Sequence, residues 1–231
     1  MEPKLQRRGR RQRHAVRCDQ FTITIKLDGG NIDGNTADVV VETVYGQQIK
    51  APADPVKEGY TFTGWSPMVG MMDSEPQEYV ATWEATTYYA TYIVEGEEYE
   101  VYDIPYGLDV EIPLEPVLPG YNFVGWDSEI PATMPAGDLT FTAVFEKKDI
   151  TLTLELDGGN YDGNTDDIVI TGKYGDDVAA PEADKLKKQG YVFGGWEPAL
   201  PDPLPTEDAT YTAIWRAAYD LGGGLCKKLR H

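Results

Sequence analysis

The sequence predicts a mainly β, α+β fold of three tandem units, each a small four-stranded sheet crossed by one helical turn or loop. Three observations predict it. The phrase Gly-Tyr-x-Phe-x-Gly-Trp occurs three times, at Gly59–Trp65, Gly120–Trp126 and Gly190–Trp196. A Tyr-Gly pair precedes each copy (Tyr45-Gly46, Tyr106-Gly107, Tyr174-Gly175), and an aromatic-x-Ala-x-aromatic strand follows it (YVATW, FTAVF, YTAIW). The opening segment of each unit alternates apolar and polar residues with period two, the mark of a strand with one buried face.

The elements follow in order. Phe21, Ile23, Ile25 and Leu27 alternate with Thr22, Thr24 and Lys26, and Ile150, Leu152, Leu154 and Leu156 do the same in the third unit. LDGGNIDGNT and LDGGNYDGNT come next, with the Asp-Gly and Gly-Gly pairs of tight turns. The middle unit keeps Tyr88, Ala90, Tyr92 and Val94 in phase but turns at the shorter EGEE, Glu95–Glu98. A second strand runs to the Tyr-Gly pair. Then comes a connection, APADPVKEG, IPLEPVLPG or APEADKLKKQG. Pro55 and Asp184 are each suited to open a single helical turn closed by the following glycine, whereas Pro119 disfavours one in the middle unit.

The third strand carries the repeat signature: Tyr60, Phe62, Gly64 and Trp65; Tyr121, Phe123, Gly125 and Trp126; Tyr191, Phe193, Gly195 and Trp196. In a regular strand the tryptophan faces away from the other three. A glycine beside it suggests a bulge that re-aims the indole. The last strand places Tyr79, Ala81 and Trp83 in phase, the alanine leaving room for aromatics opposite. Recurrence at one place in every unit predicts packing positions for Trp65, Trp126 and Trp196.

The boundaries are 21–86, 87–148 and 149–217, with tails at 1–20 and 218–231. The interval from Trp126 to Trp196 is longer than that from Trp65 to Trp126, and the added residues fall in turns, as repeats require. Trp83 to Tyr88 leaves almost no linker, so the units are expected to stand in an elongated, semi-rigid row.

Composition excludes whole classes of chemistry. Both histidines (His14, His231) and both cysteines (Cys18, Cys226) lie in the tails, and only Ser66, Ser74 and Ser128 are serines. That leaves little for nucleophile–base catalysis or for His/Cys metal sites. Acidic residues are abundant but scattered and mark no acid–base pair of the glycosidase kind. Residues 21–216 hold 10 basic and 36 acidic groups, a net of −26, between tails of +5 and +2. Such a body repels nucleic acid. The N-terminal RRGRRQRHAVR reads either as a nucleic-acid, nuclear-import or anionic-membrane arm or as a solvated tail, and the acidic body favours the latter. No apolar run approaches the roughly 18 residues of a membrane span.

The run Y-G-x-x-I-x-A-P-x-D-P-x-K-E-G-Y-T-F-T-G-W at Tyr45–Trp65, with Leu-Asp-Gly-Gly before it and Tyr-x-Ala-x-Trp after it, resembles the Listeria–Bacteroides (internalin-type B) repeat. The likeness covers about residues 21–216. The first copy is nearest the pattern. The second lacks LDGGN, ends in Phe145 and has Pro119 where a charged residue is expected. The resemblance implies a β-grasp-like (ubiquitin-like) unit used in tandem in secreted and cell-surface bacterial proteins, as a spacer or a module that contacts protein or host-surface ligands. It implies no catalytic residue and no cofactor. It also leads one to expect a signal peptide and a wall anchor. No apolar stretch follows the basic arm, and LPDPLPTED (Leu200–Asp208) is not a sorting signal. The chain is therefore expected to be a monomer or part of a longer surface protein, or else a protein exported otherwise or retained.

Two functional readings of the body remain. The acidic loops present Asp28, Asn31 and Asp33, and Asp157, Asn160 and Asp162, oxygen ligands of the kind calcium takes. Their spacing fails as an EF-hand, since Gly29 and Val40 would fall at its first and twelfth positions; the alternative is a solvated hairpin tip. Exposed edge strands, with Tyr79–Trp83 and its equivalents as candidates, are the other route to a partner, by β-augmentation.

Overall fold

In the computed structural model, residues 20–73, 75 and 77–218 are described. The arginine-rich arm, both cysteines and both histidines lie outside them. The regular secondary structure of the described residues is almost entirely strand. Strand β1 spans Gln20–Lys26, β2 Val39–Val44, β3 Tyr60–Ser66 and β4 Glu78–Ala85; β1 thus starts one residue earlier than expected. Next come β5 Thr87–Val94, β6 Glu97–Pro105, β7 Tyr121–Trp126 and β8 Leu139–Lys147. The last set is β9 Asp149–Glu155, the short β10 Asn160–Tyr161, β11 Ile168–Lys173, the short β12 Leu186–Lys187, β13 Tyr191–Glu197 and β14 Ala209–Ala217.

Three four-stranded sheets result, ordered β2-β1-β4-β3, β6-β5-β8-β7 and β11-β9-β14-β13. In the first and third, two antiparallel hairpins meet along a parallel central pair, β1 with β4 and β9 with β14. That is the β-grasp sheet order. The connection between the hairpins is not a helix. Among the described residues the sole helical turn is a 3-10 turn at Ala183–Lys185, with Glu182 rather than Asp184 at its start. The turn expected after Pro55 is absent. Val56 instead pairs its backbone with Asn31, and the chain then reverses in a tight, non-helical turn in which the Tyr60 N–H donates to the Lys57 carbonyl at 3.1 Å.

By contacts the chain divides into two compact units. One comprises the described residues up to Ala90 with Tyr102–Glu111 and Pro131–Leu139; the other comprises Thr91–Val101, Ile112–Ile130 and the described residues from Thr140 on. The core of the first is built on Ile23, Ile25, Ile49, Met72 and Tyr79, with Phe21, Val39, Val41, Trp65 and Val69 packed against them. The core of the second includes Ile150, Leu152, Leu154, Leu204 and Tyr211, flanked by Ile168, Ile170, Tyr174 and Trp196. The alternating residues of β1 and β9 are the ones that bury, as period two requires. The opposite face of the first sheet is rich in threonine, with Thr63 bonded to Thr82 at 2.9 Å.

The strand Tyr79–Trp83 lies inside β4, which is paired on both sides. It is therefore not an edge. The edges of the sheets are β2 and β3, β6 and β7, and β11 and β13.

Candidate functional site: aromatic face, lysine-held loop and repeat joint

Each GYxFxGW strand carries a bulge at the expected glycine. The ladder shifts register between Phe62 and Gly64, between Phe123 and Gly125 and between Phe193 and Gly195. Phe62 then pairs with Trp83, and Trp65 with Ala81, so all four share one face. The rings meet edge-on: Phe62 to Trp65 at 5.1 Å and to Trp83 at 5.6 Å between centroids. The arrangement recurs for Phe123 with Trp126 and Phe145, and for Phe193 with Trp196 and Trp215. Trp65 and Trp196 pack against the cores, half-buried. The signature is a packing device whose outer rings reach the surface.

The acidic loops are organised from within. In Ile32-Asp33-Gly34-Asn35 the end residues exchange backbone bonds of 3.0 and 2.9 Å, and both central residues have positive φ (52° and 82°), as a type I′ turn demands. Asn31 accepts the Gly34 N–H at 3.0 Å and donates its amide to the Val56 carbonyl at 3.1 Å. Asn160 does the same with Gly163 and Lys187. Lys57 reaches the Asp28 carbonyl at 2.9 Å, with the Asp28 carboxylate at 4.0 Å. Lys188 donates to both the carbonyl and the carboxylate of Asp157. Each ammonium also lies over two rings, Lys57 over Tyr60 and Trp83 at 4.8 and 5.5 Å, Lys188 over Tyr191 and Trp215 at 5.3 and 5.8 Å. In the first and third repeats, then, a lysine head holds the loop that carries the residues expected as oxygen ligands, and the amides of Asn31 and Asn160 are bonded to backbone.

Two of the three Tyr-Gly pairs, Tyr106-Gly107 and Tyr174-Gly175, supply the tyrosines of the joints between repeats. Thr86 donates its N–H to Gly59 and accepts the N–H of Tyr106, both at 2.9 Å. The Tyr106 ring covers Gly59 and meets Tyr60 edge-on at 5.4 Å. A Cβ on Gly59 would lie 2.2 Å from that ring. Gly120, Tyr121, Lys148 and Tyr174 repeat the joint between the second and third repeats, again with 2.9 Å bonds and rings 5.4 Å apart. Sequence reasoning had the residues but not the partnership. The signal present was the recurring order of Tyr-Gly after Gly-Tyr, which gives no distance in space.

Three repeats, each built on one four-stranded sheet with an aromatic face, and joined first to second and second to third through a tyrosine on a glycine, define a tandem structural-repeat module. The model of the Listeria-Bacteroides repeat domain matches residues 21–74, 88–153 and 151–199, and the chain belongs to that family. Internalin H of Listeria monocytogenes is 32% identical over 138 residues, covering 52% of this chain and 25% of internalin H. A protein of Evansella cellulosilytica named as a Gly-rich membrane protein is 24% identical over 195 residues, 74% of this chain and 22% of its own length. Another from that organism, named as a membrane protein, is 25% identical over 194 residues, with 76% and 28% covered. The chain therefore spans about a quarter of the length of these curated relatives. Among the described residues no helix is long and apolar enough to cross a membrane.

Proposed function

We propose that the chain is a non-catalytic tandem-repeat segment of a bacterial cell-surface or secreted protein, serving as a spacer that also contacts a protein or host-surface ligand. The observation that carries the reading is the joint. The same tyrosine-on-glycine contact couples the first repeat to the second and the second to the third, with the same bond lengths. A chain selected for catalysis has no need of identical couplings, whereas one that must hold its repeats in a fixed relation does. Membership of a repeat family and the likeness to internalin H support a surface setting.

Two measurements test it. Small-angle scattering of the full chain should give a radius of gyration well above the roughly 17 Å of a compact 231-residue globule; a value near that figure sinks the spacer reading. Protease shaving of intact producing cells should release peptides from residues 21–216, and their retention inside the cells sinks the surface reading.

A further inference from the structure

In the first and third repeats the long hairpin loop folds back onto the connection between hairpins. Asn31 and Val56 exchange two backbone hydrogen bonds of 2.8 Å. Asn160 pairs with Lys187 in the β10–β12 ladder. The middle repeat has an equivalent connection, Ile112–Gly120, but not the loop: β5 and β6 are joined by Glu95 and Gly96 alone. Val117 stands three residues before Gly120, as Val56 and Lys187 stand before Gly59 and Gly190. It is 93% exposed, Leu114 is 85% exposed and Ile112 64%. Pro113 and Pro116 are buried, which anchors the strip and turns Leu114 and Val117 outward three residues apart. Among the described residues no hydrogen bond replaces the Asn31 pair at Val117. The lysine that holds the loop elsewhere is Leu118 here, and residues 87–146 contain twelve acidic side chains and no Lys or Arg.

We propose that this vacated edge is a peptide-binding site. It takes an extended segment of another protein in which Lys or Arg alternates with aliphatic residues. The segment pairs its backbone with Val117 as Asn31 pairs with Val56, and lays its aliphatic side chains on Leu114 and Val117. Its basic side chains meet the carboxylates of the same repeat, among them Glu95, Glu97, Glu98 and Glu115. The inference rests on the protein-contacting part of the function proposed above and narrows it to one repeat and one class of partner.

The test titrates the full, nitrogen-15-labelled chain with two synthetic nonapeptides of equal charge, KVKVNVKVK and KSKSNSKSK, following backbone amides by NMR. The first should give saturable shifts confined to the Ile112–Leu118 strip and slowed exchange at the Val117 amide; the second should not saturate. Val117→Pro removes an N–H that no described bond of the fold uses, and it should weaken binding about tenfold or more while the other repeats' spectra stay unchanged. Leu114→Ser, which leaves the backbone alone, should weaken it several-fold. Equal shifts in all three repeats, equal response to both peptides, unchanged affinity in both variants or no saturation at millimolar peptide would each overturn the site. None of these outcomes bears on the scattering result, so the spacer reading stands or falls separately.

Discussion

Trp83 and Trp215 occupy the same place in two sheets but differ in one hydrogen bond. The Trp215 indole donates to the Leu156 carbonyl at 2.9 Å, whereas the Trp83 Nε1 is buried without a partner. Phenylalanine, which the middle repeat already carries as Phe145, keeps much of the ring and removes the donor. Trp215→Phe should therefore cost about 1 kcal/mol more than Trp83→Phe, since only the former gives up a made bond. Denaturant midpoints of the two variants, followed by NMR probes in each repeat, check the order. Asp127 offers a pH test at the same scale. The Thr142 backbone N–H at 2.9 Å, helped by the Thr142 and Ser128 hydroxyls, holds its carboxyl below the ordinary value. A depressed carboxyl stabilises above its unfolded value, near 3.9, and loses that contribution as pH falls through the folded one. Asp127→Asn should thus lower the midpoint of the middle repeat at pH 6, with the gap to the parent closing towards pH 2.

At the scale of the element, three features travel together. The first and third repeats have the long loop, the lysine and the tryptophan; the middle repeat has a two-residue turn, Leu118 and Phe145. The structure explains the set. Gly30 and Gly159 of the loops lie against the Trp83 and Trp215 rings, where a Cβ would come within 2.5 and 2.2 Å, and the lysine ties the loop to the same rings. We propose that the ammonium, rather than a metal ion, organises the loop. Lys188→Met should destabilise the third repeat by about 1 kcal/mol, and neither EDTA nor millimolar calcium should move the parent's thermal midpoint. A calcium-dependent rise would return the loop to the metal reading. Much of this was legible in the sequence: the period-two strands, the Asp-Gly turns and the bulge at the signature glycine are local and leave local signals. Which strands lie at the edges was not, because the parallel pairing of β1 with β4 joins segments far apart in the chain and has no periodicity of its own. The helical turn after Pro55 failed for a related reason. The bonds Val56 makes with Asn31, in a loop well upstream, outweigh a local preference for the turn.

For the whole molecule the question is what makes three marginal sheets one object. A domain of about 60 residues buries too little surface to be secure alone, so the joints must contribute. The coupling is carried by the tyrosine ring seated on the glycine, Tyr106 on Gly59 and Tyr174 on Gly120, and it can be separated from the turn that receives it. Gly59 has φ +75°, so Gly59→Ala carries two penalties: about 1 to 2 kcal/mol for a left-handed alanine, and displacement of the Tyr106 ring. Tyr106→Ala removes the ring and leaves the glycine unstrained. The double variant keeps the strain but has no ring to displace, so it should be less destabilised than the sum of the singles, by about 0.5 kcal/mol or more. A thermodynamic cycle on the first repeat, read by amide exchange at Thr86 and Tyr60, measures that difference. Strict additivity would mean that the ring and the glycine do not act on each other, and that chain continuity through Thr86 alone couples the repeats.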